Sequence, residues 1–455
     1  METVASSSKD RSAEIDRCLS MIAPSASNES KFVGMMILPK LLEKDNMKDI
    51  EKVFKGMNFK FLERLLRTNQ VEGSELPDSI LKEIAVNVLS CFARYEMLAS
   101  EKNMVERIPA LSLLLSPHDQ SDVTKEVLQI LLHIAVKKEG LVKMLDPDVL
   151  KNVFDVLLNT QNKEERESCT ELINSVYTRS AQLLDEEKIP SLFSTVKYSL
   201  NTLLSILSNT LNNYQDLLKF EALKILSTVL PAITVEMMTQ VKLEQEKKIE
   251  SWLDNLLNGL RQILTSKLND TLRDNAMLLV SALLRHFGND WLFKSLQDTK
   301  SAKRKKEKAA TDKASEPAMK AYAKATFPFL LINLVAIEAK VMLDDINDRV
   351  VREHNEEKTI IQHERQARQE MMIPVYFEIL EAAMEYLAFN YESNGMDPEL
   401  LLKIRTTLSE VMEVVSELLK FLQGTRESLD DNLIAQACIR MIALWMAEEG
   451  YEMPE

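Results

Sequence analysis

Glycine and proline are scarce in this chain: 9 and 13 among 455 residues. Both residues punctuate turns, so a fold built from many tight hairpins lacks the turn residues it would need. Hardly any stretch alternates apolar and polar residues at strand period. Cysteine is sparse as well. Cys18, Cys91, Cys169 and Cys438 lie far apart with no paired spacing, which argues against a disulfide framework and for buried thiols in a reducing compartment. The longest apolar run, Phe327 to Ile337, is broken by Pro328 and Asn333 and is too short to span a membrane. The first twenty residues mix Lys9, Asp10, Arg11, Glu14 and Asp16 with serines, unlike a secretory signal. Neither Met1-Glu2-Thr3 nor the stretch Tyr451 to Glu455 carries a lipidation motif. Positive charge is in deficit. Lys and Arg total 56 against 70 Asp and Glu, a formal net charge of −14 whose average field repels a phosphate backbone.

What is abundant is apolar spacing at helix period. Ile80, Ile84, Val88 and Phe92 share one stripe, reinforced by Leu81, Ala85 and Leu89. Leu253, Leu256, Leu257, Leu260, Ile263 and Leu264 repeat the pattern, as do Ala276, Leu279, Val280, Leu283, Leu284 and Phe287. The stripes are broad, as in helices flanked by neighbours on two sides. Asp146-Pro147-Asp148 and Asp397-Pro398-Glu399 read as helix starts, with Asp at the N-cap and Pro in the first turn. Arg107-Ile108-Pro109 and Lys188-Ile189-Pro190 open two further helices, their prolines 81 residues apart from position 109 to position 190. That is roughly twice a HEAT or armadillo repeat of ~40–47 residues. The expected fold class is all-α: an armadillo/HEAT-like α-solenoid of stacked helix pairs.

Composition divides the chain further. Residues 1–30 read as a polar N-terminal segment with a short helix, and 31–296 as armadillo-like helical repeats. Residues 297–326, rich in Lys, Ala and Ser, read as a basic mobile loop. Residues 327–449 read as further helical repeats with a polar insertion at 344–370, and 450–455 as a tail. The insertion is either a solvated extension of the preceding helix or a disordered segment.

Candidate chemistry is thin. The basic run Lys303, Arg304, Lys305, Lys306 and Lys308 is the sharpest charge feature. It suits importin, RNA or anionic lipid as an interaction handle, and equally suits a solvated surface loop. His363-Glu364 begins like a zinc-protease helix, but the second His would fall at Ala367. His354 and His363 stand nine residues apart without a cysteine nearby, and Asp344-Asp345-Ile346-Asn347-Asp348 lacks the glycine of a calcium loop. His133 and His286 lie within apolar helices and read as satisfied interior or groove residues. No glycine-rich phosphate loop or nucleophile elbow is present. Pairs such as Glu164-Glu165 and Glu186-Glu187 read as solubilising surface. The 22 methionines read as core filler rather than an adaptable groove, and Trp291 and Trp445 as packing anchors. The reading therefore names no catalytic, cofactor-binding or metal-binding residue.

Several stretches, in this order, carry a resemblance. Phe32-Val33-Gly34-Met35-Met36-Ile37-Leu38-Pro39-Lys40 leads into Ile50 to Phe54 and Asn58-Phe59-Lys60-Phe61-Leu62-Glu63-Arg64-Leu65-Leu66. Leu89-Ser90-Cys91-Phe92-Ala93 precedes Ile108 to Leu111; Ile263 to Leu268, Phe287-Gly288-Asn289-Asp290-Trp291, Phe329 to Glu338 and Ile439 to Glu449 follow. Together they resemble the neurochondrin family of cytosolic, Leu-rich proteins with an armadillo-like helical fold, over most of 30–295 and 326–449. The resemblance implies relatives that continue with more repeats beyond the Trp445 segment, and it makes the regions near 303 and 344–370 look like insertions.

By that resemblance the chain is expected to be a non-enzymatic, cytoplasmic scaffold with a minor nuclear pool. It would bind partner proteins on a helical-repeat surface and use no cofactor or small-molecule substrate. Family roles imply neurite outgrowth and kinase signalling in animals, with receptor tails, small GTPases or kinases as partners. The alternative expectation is a nuclear-transport or ribonucleoprotein-assembly factor that uses the basic segment at 303–308.

Overall fold

The computed structural model describes residues 2–42, 46–68, 77–117, 123–267, 269–309, 315–352, 360–390, 395–423 and 432–448. All regular structure among them is helical. Contacts divide the chain into two compact units, Met1–Ile206 with Ala232–Gln245, and Leu207–Pro231 with Glu246–Glu455.

The first unit opens with α1 (Glu2–Ile22) and α2 (Asn28–Leu42). Three triplets follow. α3 (Met47–Gly56), α4 (Phe59–Leu66) and α5 (Asp78–Ala93) form one. After the single-turn α6 (Glu96–Ala99), α7 (Lys102–Val105), α8 (Ile108–Ser112) and α9 (Val123–Ile134) form the next. α10 (Lys138–Met144), α11 (Pro147–Asn159) and α12 (Lys163–Glu186) form the third. Third helices begin at 78, 123 and 163, steps of 45 and 40 residues, which is the armadillo period with its three helices per repeat. Packing follows the triplets. α2, α5, α9 and α12 stack consecutively in one layer, α4, α8 and α11 in a second, and α7 lies on α10.

Local sequence explains the breaks. Asn46, Asn58, Asp146 and Asn162 each cap a helix by accepting a backbone N–H from the first turn. Asp146 does so from Asp148 at 3.0 Å, as its Asp-Pro-Asp context predicts. Pro109 lies in the first turn of α8, and Pro190 begins α13 (Pro190–Asn213), within which the division between units falls. The expected stripe on α5 is buried at Ile84, Ala85, Val88, Leu89 and Phe92. Phe92 and Phe59 meet Phe54 edge-on at 5.2 and 5.1 Å. Each such ring or aliphatic chain contributes about 1.5–3 kcal/mol when fully buried.

α14 (Leu217–Ala232), α15 (Val235–Glu244) and α16 (Glu246–Leu264) follow, with α14 and α16 in the second unit. That unit continues with α17 (Asp270–Phe287), α18 (Asp290–Phe293) and a 3-10 turn, Lys294–Asp298. Its remaining helices are α19 (Thr299–Ala309), α20 (Ser315–Ala325), α21 (Phe327–Arg352), α22 (Ile360–Asn390), α23 (Pro398–Gln423) and α24 (Leu433–Glu448). α17, α22 and α24 stack in one layer, with α21 on α22 and α23, and α23 on α24. The fold is an all-α solenoid of the armadillo/HEAT type, with the three-helix form of the repeat clear in the first unit.

Two expectations need correction, and at 344–352 the helix-extension alternative is the one observed. The N-terminal helix is not short, since α1 runs from Glu2 to Ile22. Where a basic mobile loop is expected at 297–326, the described residues form α19 and α20, which pack on each other. Runs of Lys, Ala and Glu have high helix propensity, and this outweighs the lack of an apolar stripe. The polar insertion at 344–370 extends α21 to Arg352 and begins α22 at Ile360, while 353–359, with His354, lie outside the described residues. Its flanks are zipped rather than merely solvated. Arg365 Nε lies 2.8 Å from Asp345, Arg349 donates to Gln369 at 2.9 Å, and Gln369 donates to Asp345.

Candidate binding surfaces

The basic run does not act as one patch. Lys303 Nζ donates to Asp397 at 3.0 Å and to Glu399 at 2.8 Å, so it is spent fastening α19 to the start of α23. Those two hydrogen bonds hold its ammonium above the usual lysine range. The neighbouring backbone completes the joint. Asp397 N–H donates to Thr299 Oγ1, and Lys300 N–H donates to the Gly395 carbonyl at 3.1 Å. A Cβ on Gly395 would stand 2.2 Å from the Gln297 carbonyl oxygen, so this close approach requires glycine. Lys306 lies over the Tyr322 ring of α20 at 4.2 Å. Arg304, Lys305 and Lys308 are exposed. The cluster thus divides: Lys303 and Lys306 hold a helical hairpin, whereas Arg304 and Lys305 are exposed.

The first unit presents a different surface. Along the layer of α2, α5 and α9, Pro39 and Leu42 of α2, Asn87, Ser90 and Cys91 of α5, Arg94 and Tyr95 just after it and Glu126 of α9 line a cavity of about 140 Å³. These positions follow from the stack. Val88, Leu89 and Phe92 turn into the core, which leaves Asn87, Ser90, Cys91 and Arg94 along the adjoining edge of α5. An amide, a hydroxyl, a guanidinium and a carboxylate beside Pro39 and Leu42 make a small, mainly polar recess with room for a side chain or a few backbone atoms of a partner. The sequence reading missed this groove, because its residues become neighbours only when three successive repeats stack. The one local signal is Asn87, a polar residue inside the apolar run from Ile84 to Leu89, with Arg94 just past the end of the helix.

The other sequence candidates fall elsewhere. His286 is buried and contacts the Leu230 carbonyl at 2.8 Å, serving an otherwise orphaned carbonyl near the end of α14. His133 is exposed and contacts the Gln129 carbonyl at 2.7 Å, and His363 is exposed on α22. Among the described residues, no three His, Cys, Asp or Glu side chains converge as metal donors. Burial pushes the Cys18 thiol up to about 11 and the Cys438 thiol up to about 12, and it raises that of Cys169 as well. Trp291 and Trp445 are both half-buried, while Trp252 of α16 is buried. No single helix among the described residues is long and apolar enough to cross a membrane.

The chain is similar in sequence to known proteins. The Neurochondrin family model matches residues 9–455. A Neurochondrin homolog of Drosophila melanogaster is 22% identical, over 96% of this chain and 54% of its own length. Neurochondrin of Xenopus laevis is 21% identical over 96% of this chain and 53% of its own, and that of Homo sapiens 20% identical over 98% and 53%. This chain therefore spans about half the length of the curated relatives it matches. Among solved structures, computationally designed armadillo repeat proteins for modular peptide recognition match 59% of this chain and 99% of their own, at 15% identity and a TM-score of 0.40. The karyopherin Kap121p, bound to the SUMO protease Ulp1p, matches 96% of this chain and 45% of its own, at 16% identity and a TM-score of 0.40. With a family model that extends over residues 9–455, this chain belongs to the Neurochondrin family.

Proposed function

We propose that this chain is a non-enzymatic scaffold that holds segments of partner proteins on its helical-repeat surface. The observation that carries this reading is the groove across α2, α5 and α9, set on three consecutively stacked helices. Stacked repeats form extended surfaces along which a peptide can make many small contacts. Asn87 is placed to bond a peptide backbone, and the exposed Arg94 to meet an acidic side chain. Family membership supports the same class. Roles in neurite outgrowth or kinase signalling, and receptor tails, small GTPases or kinases as partners, follow from the resemblance and are proposed on that basis. So is a cytoplasmic location with a minor nuclear pool.

A direct test selects peptides from a random display library on the full 455-residue chain and on its Arg94→Glu variant. Peptides that bind the first and lose at least about tenfold in affinity for the second support the groove. Enrichment unchanged by the substitution would remove it.

The alternative, a nuclear-transport or ribonucleoprotein role for 303–308, meets a physical obstacle. A linear basic signal read in extended form would require α19 to unwind and Lys303 to leave Asp397 and Glu399. The exposed Arg304 and Lys305 are what remain in its favour. Replacing both with Ala should deplete the nuclear fraction if this reading holds, and an unchanged distribution removes it.

A further inference from the structure

One lysine of the second unit is buried without a counter-charge. Lys219, in the first turn of α14, is 3% exposed. Its Nζ donates to Gln262 Oε1 on α16 and to the Tyr214 carbonyl at 3.4 Å, both neutral acceptors. Gln262 Oε1 accepts a second hydrogen bond, from Gln215 Nε2 at 3.0 Å. An ammonium and an amide thus converge on one oxygen. Burial lowers the Lys219 ammonium below the ordinary lysine range, and no carboxylate among the described residues opposes that shift. Other lysines of this chain that are partly enclosed, Lys197, Lys303 and Lys340, each pair with a carboxylate. A buried cation is costly unless an opposite charge and hydrogen bonds compensate it, and here only the hydrogen bonds are present. The surroundings reach solvent. Gln262 is half-buried, and Tyr214 and Leu217, at the turn between α13 and α14, are 39% and 58% exposed. Beside them Asn212 of α13 donates to Asn255 of α16 at 2.9 Å, a further amide pair between the same segments. Rotation of the Gln262 side chain frees the Lys219 and Gln215 donors together.

We propose that Lys219 and Gln215 receive a carboxylate of a partner polypeptide, one of whose oxygens takes the place of Gln262 Oε1. Two donors already point at that place, and hydrogen bonds to a charged acceptor are about twice as strong as those to an amide oxygen. Gln262, once turned, has an amide N–H to donate to the second oxygen. Charge selects the ligand class. A carboxylate brings one negative charge to one ammonium. A phosphate group brings about two and leaves the excess within a chain of net charge −14. Tyr214 and Leu217 offer apolar contact to the residue that carries the carboxylate. A chain terminus and an Asp or Glu side chain present the same chemistry, and the experiment separates them. The proposal rests on the scaffold reading, since its ligand is a partner polypeptide. Its residues belong to the second unit and not to the groove at α5, so each can fail alone.

The test selects peptides with free C-termini from a random display library on the full 455-residue chain. Each binder is remade in two forms, one with a C-terminal amide and one with its Asp and Glu changed to Asn and Gln. A set of binders is expected to lose at least about tenfold in affinity in one of these forms, and as much on Lys219→Met. Sensitivity to the amide identifies a chain terminus, and sensitivity to Asn and Gln identifies a side chain. Neutralised peptide and Lys219→Met together should show no further loss, because both remove the same bond. Losses that multiply, or a selection that yields no Lys219-dependent binder, overturn the proposal. Met keeps the length of the lysine stem without a charge to bury, so this variant is expected to fold. Gln262→Glu gives an independent check. Its own carboxylate should fill the site, raise the urea midpoint and weaken the same peptides at least about tenfold. Peptide binding unchanged in Gln262→Glu overturns the proposal. So does displacement of the peptides by inorganic phosphate at lower concentration than by acetate, since the site would then prefer a doubly charged anion. Arg94→Glu, which addresses the groove, should leave the Lys219-dependent peptides unaffected.

Discussion

Gly288 ends α17 with φ at 79° and ψ at −169°, a positive-φ conformation open essentially to glycine alone, and its N–H closes the helix on the Leu284 carbonyl. Ala at this position should cost about 1–2 kcal/mol, checked by urea denaturation. Lys303 is a residue whose effect should be local. Lys303→Ala is expected to raise amide exchange across Thr299–Ala309 while leaving the helical content unchanged, and exchange no faster than in the parent would refute the fastening role. Glu381 of α22 has its carboxyl raised above the usual 4.5, first by burial, with Glu385 and Glu378 adding to the rise and Arg440 opposing it. The folded protein therefore keeps a proton that the unfolded chain has released. Stability contributed at this site falls as pH climbs from the ordinary carboxylate range through the raised value. Glu381→Gln should flatten that decline, read from urea midpoints between about pH 4 and pH 7.

At the scale of elements, α17, α21 and α22 are joined by a polar cluster as well as by packing. Arg368 donates to both oxygens of Asp274 at 2.7 and 2.9 Å, Tyr376 donates to Asp274 at 3.3 Å, and Arg273 pairs with Glu338. Asp274 is buried, so losing Arg368 strands a carboxylate. A double-mutant cycle with Asp274→Ala and Arg368→Ala should return a coupling of about 1–3 kcal/mol, and a value near zero would make the pair incidental. None of this cluster was legible in the sequence, because Asp274 and Arg368 stand far apart in the chain and nothing local joins them. The helices themselves were legible. The stripes at Ile84–Phe92 and Ala276–Leu284, and the Asp146-Pro147 start, depend on neighbours three or four residues away. Lys303 was misjudged for the opposite reason: its charge is local, but its partners Asp397 and Glu399 are not.

For the whole molecule, stability in stacked repeats is a sum of nearest-neighbour terms. Leu89 is fully buried in α5, and Leu89→Ala should cost about 2–5 kcal/mol. The damage should stay within reach of the adjoining repeats. Hydrogen exchange is expected to accelerate in α4, α5, α8 and α9 while α17 and α22 keep their protection; uniform loss across both units would mean that the chain unfolds as a single cooperative block. Burial also sorts the four cysteine thiols. Cys18, Cys169 and Cys438 are enclosed and held as neutral thiols, which makes them slow to react. Cys91 is half-buried on the wall of the groove. The native protein thus comes with a built-in attachment point: a small environment-sensitive dye coupled there under mild alkylation would report, by a change in its emission, whenever a guest enters beside Asn87 and Arg94.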